Sequence, residues 1–290
     1  MDALNQLLAT FKVQANVFHN GQYCGRWAVD TSGSKNISFH VVTHGRCYLS
    51  VADAQTEALE AGDMVFFPHD HSHCITSDVS FSTEVNLSKS KDYSAGIDNQ
   101  GTGLVCGYFE HQHPMVEHAI KQLPDMVLIR RNDHNQSFSL LMQTLINESS
   151  SSVQGADYIL NRIAEALLAM VFRYHLPQDQ GVLAAALHPK LSKVLQAIHS
   201  SPQTKWTVDE LAAICHLSRA AFAELFKDVL NSSPMEYVTQ WRLSIAYRML
   251  ADDSVSTLEA ALAVGYDNES SFSKAFKRVM GVTPGAVRSA

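Results

Sequence analysis

Paired cysteines are missing from this chain. Its five cysteines (Cys24, Cys47, Cys74, Cys106 and Cys215) stand singly, with no CxxC spacing and an odd total. That excludes a secreted disulfide framework and suits a reducing cytosol. A basic flank followed by an apolar core is also absent from the opening MDALNQLLATFKVQANVFHN, so no signal peptide is expected. No stretch approaches 18 uninterrupted apolar residues, so no membrane span is expected, and the expectation is a soluble, cytoplasmic protein. Nor is there a surplus of basic charge. A formal net charge of −7 argues against a chain that coats nucleic acid or anionic membrane along its whole length. A local binding face stays open.

What is present is enough apolar material for ordinary cores: 46% of 290 residues are hydrophobic and 18% charged. Disordered and collagen-like chains are excluded by that balance, and the length favours two domains. Charge divides unevenly between them. Residues 187–290 hold 11 Lys/Arg against 10 Asp/Glu, whereas residues 1–186 hold 11 against 19.

From Cys24 to Phe109, short runs rich in Val, Ile, Phe, Tyr and Thr recur between Gly, Asp, Asn and Ser: RWAVD, NISFHVVTH, RCYLSVAD, DMVFFP, HCITS, FSTEVNL and LVCGYFE. Many strands at close spacing predict a sandwich or barrel. SKSKDYSAGIDNQGTG (88–103) reads as an exposed loop. After Pro114 the period becomes helical in MVEHAIKQL, SFSLLMQTLINESS and ADYILNRIAEALLAMVFRYHL. The last of these has an apolar stripe that must be buried on the flank of the strand domain or on a second subunit. PQDQG (177–181) reads as a linker.

The final hundred residues are helical throughout and contain an internal repeat. TVDELAAICHLSRAAFAELFKDVLNSSP (207–234) aligns with TLEAALAVGYDNESSFSKAFKRVMGVTP (257–284) at a constant offset of 50, without a gap. Thr207/Thr257, Ala213/Ala263, Phe222/Phe272, Phe226/Phe276, Lys227/Lys277, Val229/Val279 and Pro234/Pro284 are identical. Each copy reads as a short helix opened by Thr, a turn with Gly265 or Cys215, and a second helix capped by Ser218 or Asn268. Two Phe at i and i+4 lock that second helix onto the first. A helix pair of this size is a helix-turn-helix, whose second helix lies in the major groove. One pair alone is equally an all-α bundle; two at fixed spacing favour DNA.

These motifs, with WRLSIAYRML between the copies and GYDNESSFSKAFKRVMGVTPGAVR at the end, resemble the AraC/XylS family of transcriptional regulators. GDMVFFPHDHSH, LVCGYFE and LPDMVLI resemble the cupin-type sensor domains fused to that family. The resemblance implies an α+β multidomain fold. Residues 1–125 would be a cupin-like β-barrel sensor, 126–186 a helical dimerisation and linker region, and 187–290 an all-α DNA-binding domain with two helix-turn-helix units. It implies recognition helices that expose Ser218, Arg219, Ala220, Ala223, Glu224 and Lys227, and Asn268, Glu269, Ser270, Ser273, Lys274 and Lys277. Glu224 and Lys274 stand where relatives often carry Arg. Glu accepts from cytosine N4, whereas Arg reads guanine. Lys227 and Lys277 read either as solvated surface or as phosphate contacts. The partners implied are double-stranded DNA, a second copy of the chain, a small-molecule or oxidant effector and, if the output is activation, RNA polymerase.

Ten of the 14 histidines lie in residues 1–134. Those of HDHSH (His69, His71, His73) and of FHVVTH (His40, His44) recur at even spacing, so each set would share one strand face. His40, His44, His71 and His73 are therefore candidate ligands for zinc or another transition metal, with Glu110, His111 and His113 as further donors. Metal-bearing cupins carry HxH followed by Glu, a pattern missing here. Cys24 and Cys106 stand where some regulators of this kind carry redox-sensing cysteines, although Cys106 in its apolar strand also reads as an inert buried thiol. The alternative from another class is a metal-dependent cupin dioxygenase or isomerase with a helical appendage. The missing motif and the complete DNA-binding pattern both count against it.

Overall fold

The computed structural model describes residues 2–11, 13–51, 56–79, 101–110, 120, 123–132, 136–151, 153–174, 180–251 and 255–288, and every structural statement below refers to these. The expected strand FSTEVNL, the helix MVEHAIKQL (save Ile120 and Leu123), His111 and His113, and most of the 88–103 loop and the 177–181 linker lie outside them. The backbone forms two compact units. One combines residues 13–110 and 123–175; the other combines 1–12, 111–122 and 176–290.

The first unit contains the strands. They are β1 (Gln14–Tyr23), β2 (Ala28–Val29), β3 (Ile37–His44), β4 (Arg46–Val51), β5 (Glu57–Glu60), β6 (Met64–Phe67), β7 (His73–Thr76), β8 (Thr102–Glu110) and β9 (Val127–Ile129). Every pairing is antiparallel, in two sheets ordered β1-β8-β3-β6-β9 and β2-β7-β4-β5. The expected barrel is thus corrected to two open sheets, because closure would need the outermost strands to pair with each other. The outer edge of β1 is occupied by a helix instead. The backbone N–H groups of Ala15 and Val17 donate to Glu165 Oε1 and Asn161 Oδ1, both at 2.9 Å. A strand edge covered in this way cannot recruit another strand.

Those acceptors lie on α3 (Ala156–Tyr174), which packs against α2 (Gln136–Ser149) and β1. Its stripe of Leu160, Ile163, Leu167, Leu168 and Val171 is buried there, so the flank of the sheet takes the apolar face. Trp27, Leu49, Val65, Phe67, Ile75, Leu104 and Cys106 form the core of the strand unit. β3 is buried along nearly its whole length and β6 along all of it, hence their near-continuous apolar runs. Asp63, the buried carboxylate of this unit, pairs with Arg130 at 3.0 Å and accepts from the N–H groups of Glu60 and Arg131.

The second unit is helical: α1 (Ala3–Phe11), α4 (Val182–Leu187), α5 (Leu191–Ser200), α6 (Val208–Ile214), α7 (Arg219–Leu230), α8 (Pro234–Ala251), α9 (Thr257–Ala263), α10 (Glu269–Met280) and α11 (Pro284–Arg288). The amino-terminal helix belongs here, not with the strands it precedes: α1 packs on α4 and α5 with Ala3 and Leu7 buried. Three helices open with reciprocal Ser/Thr–Glu caps, Thr207–Glu210, Ser233–Glu236 and Ser256–Glu259. In each pair the hydroxyl residue's own N–H and side chain hold the carboxylate below its ordinary range.

The repeat is real in three dimensions, but its offset is not constant. α7 and α10 are both 12 residues long and correspond at 50. α6 and α9 correspond at 49: their caps are Thr207 and Ser256, and Cys215 and Val264 end them with nearly the same backbone angles. The second turn therefore contains one residue more. Burial agrees with the slip, since Ala212 matches buried Ala261, whereas Leu262 is exposed. The left-handed position is His216 in the first turn and Gly265 in the second, so Gly265 is not the counterpart of Cys215.

Residues 201–205, just before α6, bridge the two pairs. Arg242, near the middle of α8, donates from Nε to the carbonyl of Pro202 and from Nη2 to that of Thr204, both at 2.6 Å. Gly265 lies so close that an added Cβ would meet the Gln203 carbonyl oxygen at 2.6 Å. Lys205 pairs with Asp267 at 3.0 Å across the second turn.

Candidate functional site

A helix can read DNA only with side chains that point away from its own core. In α7, Phe222, Phe226 and Leu230 are buried; in α10, Phe272 and Phe276 are. These phenylalanines dock each helix on its partner, which turns the opposite face outward. Ser218, Arg219, Ala220, Glu224 and Lys227 are exposed on the first, with Ala223 half-buried. Asn268, Glu269, Ser270, Lys274 and Lys277 are exposed on the second, with Ser273 half-buried. The two helices repeat the same sequence of exposed, half-buried and buried positions from their first residue to their eleventh.

Local chemistry fixes where each helix begins. Ser218 Oγ accepts from the N–H of Ala221 at 3.3 Å, and Asn268 Oδ1 accepts from that of Ser271 at 2.8 Å. Each helix ends on a left-handed residue, Asn231 or Gly281, whose N–H returns to the carbonyl of Lys227 or Lys277. Ser218 and Asn268 are thus occupied as caps. Arg219 is held by Asp209 at 3.3 Å on an exposed surface. Sequence reasoning passed over Asp209, Lys205 and Asp267, which lie across turns from the groups they pair with. Arg242 is tied to the bridge by its bonds to two carbonyls.

In the strand unit, the histidine candidates divide. His40 and His73 come together: their Nε2 atoms are 3.0 Å apart, and Thr31 Oγ1 lies 3.1 Å from the first and 2.9 Å from the second. His73 Nδ1 lies 2.8 Å from the carbonyl of His71 and donates to it, so its Nε2 is an acceptor for His40 and Thr31. Both rings are neutral. Burial pushes the His40 pKa well down, aided by His73 and His19, and burial lowers that of His73. His71 contributes its carbonyl, and His44 lies beyond a bulge at the end of β3, opposite Gly103. Zinc is bound by three or four Cys, His or carboxylate side chains, and this group offers only two imidazoles beside a neutral hydroxyl. Among the described residues no group of three or more His, Cys, Asp or Glu side chains could hold a metal ion.

The two candidate redox cysteines are not neighbours. In the β1–β8 ladder Cys106 stands opposite His19, and Cys24 is five residues further on. At ~3.4 Å per residue the separation is roughly 17 Å, against about 7 Å as the limit for a disulfide. Cys106 is fully buried, and burial pushes its pKa up steeply; Cys47 is also buried and held up at about 12. Cys24 is the only one of the five that is partly exposed. Treating the native protein with a thiol reagent should therefore modify Cys24 rapidly and the other four only on unfolding. Fast modification of Cys106, read by peptide mass spectrometry, would contradict this placement.

Comparison with known proteins agrees with the geometry. A family described as "Cupin" matches residues 2–177, and one described as "Helix-turn-helix domain" matches residues 211–290. The chain is 30% identical to the RCS-specific HTH-type transcriptional activator RclR of Escherichia coli K12, over 99% of its own length and 97% of the relative's. It is 28% identical to the HTH-type transcriptional regulator MtrA of Neisseria gonorrhoeae, over 99% and 98%. A solved AraC-type DNA-binding domain from Chromobacterium violaceum is 27% identical, covers 35% of this chain and 90% of that one, and superposes with a TM-score of 0.34. Both full-length relatives are named as transcriptional regulators, which favours that reading over the enzyme alternative. No helix among the described residues is long and apolar enough to cross a membrane. With a cupin domain ahead of a helix-turn-helix DNA-binding domain, the chain belongs to the AraC-type family of transcriptional regulators.

Proposed function

We propose that α6–α7 and α9–α10 are two helix-turn-helix units that enter successive major grooves of one DNA duplex, under control of a signal received by the strand unit. The observation that carries this reading is the matched exposure along α7 and α10. A packed bundle has no reason to leave the same face of both helices bare. On α7, Glu224 would accept from cytosine N4, while Ala220 and Ala223 suit thymine methyl groups. On α10, Glu269 and Ser270 would reach base edges.

Selection from a pool of random duplexes with the full-length chain tests the reading. The expected product has two blocks of base preference with centres about 10 base pairs apart, one groove repeat. A single block would overturn the two-unit reading, and no enrichment at all would overturn DNA recognition. One chain supplies both units, so a homodimer is not required. The α3 stripe that invited one is buried inside the strand unit. An oxidant would act first on the partly exposed Cys24, whereas a small organic effector would bind in the strand unit. Activation would add a contact with RNA polymerase in the cytoplasm.

A further inference from the structure

The two helix pairs share a fold, yet their charges differ. α7 carries two basic residues (Arg219, Lys227) and two acidic ones (Glu224, Asp228), whereas α10 carries three basic residues (Lys274, Lys277, Arg278) and one acidic (Glu269). The cations of the first pair have anionic neighbours: Arg219 is paired with Asp209, and Lys227 lies close enough to Glu236 to help lower its pKa. Lys274 and Lys277 make no ion pair among the described residues. They line an open cleft of about 410 Å³ between α10 and the starts of α9 and α11, together with Ser273, Thr257, Thr283 and Glu269.

We propose that this cleft is a phosphodiester seat: it holds the sugar-phosphate backbone of the duplex and makes the second helix pair the electrostatic anchor of the regulator. The inference rests on the DNA-binding reading and adds a division of labour to it. Lys274 and Lys277 are three residues apart, so they project from one helix face into one cleft. An ammonium on a flexible stem is a point charge with rotatable donors, suited to phosphate oxygens and poor at telling bases apart. The hydroxyls of Ser273, Thr257 and Thr283 add neutral donors around the same space. Glu269, at the opposite end of the face, repels phosphate and confines it to the lysine end. The first pair, with its cations partnered, contributes base contacts and little net attraction.

The test is the salt dependence of binding, measured by fluorescence anisotropy on the full chain. One probe is a random-sequence 30-base-pair duplex, and the other is a duplex selected by the wild-type protein. For Lys274→Ala/Lys277→Ala the slope of log K against log salt should fall in magnitude by about 2, near 0.9 per lost phosphate contact. Both duplexes should weaken by the same factor, roughly 10- to 100-fold. Lys227→Ala should leave the slope nearly unchanged, well short of the roughly 0.9 of one phosphate contact. Circular dichroism checks that the exposed substitutions leave the fold intact. An unchanged slope, or a loss confined to the selected duplex, overturns the phosphate seat while the DNA reading stands. Failure of the wild type to bind either duplex at low salt overturns the DNA reading, and this inference with it.

Discussion

Gly265→Ala is expected to destabilise the helical unit by about 3–4 kcal/mol, the upper range for a single substitution. Two effects add. Residue 265 has φ +86, where a Cβ costs about 1–2 kcal/mol by itself. The same Cβ would lie 2.6 Å from the carbonyl oxygen of Gln203 and 2.9 Å from its Cα. Those are backbone atoms of the bridge that Arg242 grips, so they cannot step aside as a side chain would. Gly281 is the control: φ is +75 but nothing lies within 4 Å, so Gly281→Ala should cost only about 1 kcal/mol. In the first turn the left-handed position is taken by His216 at φ +55, where glycine should be neutral or stabilise by up to about 1 kcal/mol. Urea unfolding of the three variants measures this ordering. Equal losses for Gly265→Ala and Gly281→Ala would show that the bridge yields.

Mild acid should be the second large effect. Burial holds the pKa of His199 at about 3, against an ordinary 6.5. Its ring stacks on Trp241 with centroids 3.7 Å apart, and its Nε2 lies 2.8 Å from the Tyr237 hydroxyl. The unfolded chain binds a proton below pH 6.5 that the folded chain refuses. The contribution of His199 is therefore complete above pH 6.5 and declines by about 1.4 kcal/mol per unit as pH falls toward 3. Near pH 4.5 the loss is about 2.7 kcal/mol from this residue alone. His40 and His73 are also held neutral and act in the same direction on the strand unit. Thermal unfolding followed between pH 7.5 and 4.5 should show a steep fall in midpoint, flatter in His199→Gln. An NMR titration in which native His199 takes up its proton near pH 6 would contradict the assignment.

Much of the architecture was legible because it depends on local spacing. RCYLSV alternates as a half-buried strand does, and the apolar stripe of residues 156–174 predicted a single long helix. The exposed faces of α7 and α10 followed from Phe222, Phe226, Phe272 and Phe276, since paired aromatics at i and i+4 show which side must be buried. The one-residue slip was hidden for a reason: Thr207/Thr257 and Ala213/Ala263 are accidental identities at the wrong offset. Only burial shows that Ala212 corresponds to Ala261. Open sheets were illegible as well, because capping of β1 by Asn161 and Glu165 joins residues about 150 positions apart. Thr31 carried no signal, as nothing local distinguishes a threonine lodged between two imidazoles from one in solvent. The pairing of His40 with His73, but not with His44 or His71, depended on strand register and on the bulge between Val42 and His44.

The bridge of residues 201–205 has a consequence for the DNA. It is gripped by Arg242 of α8, abutted by Gly265 and ion-paired to Asp267, so it ties the first helix pair to α8 and to the second pair. On the proposed reading, two helix pairs tied in this way behave as a caliper with a set jaw. Inserting one base pair between their contact sites displaces the far groove by about 3.4 Å and swings it around the duplex axis by roughly 35°. A loose tether would absorb that change; a caliper passes it to the DNA, which must then untwist or bend to be gripped. Phase along the duplex, as well as base sequence, should thus decide which operators this regulator holds.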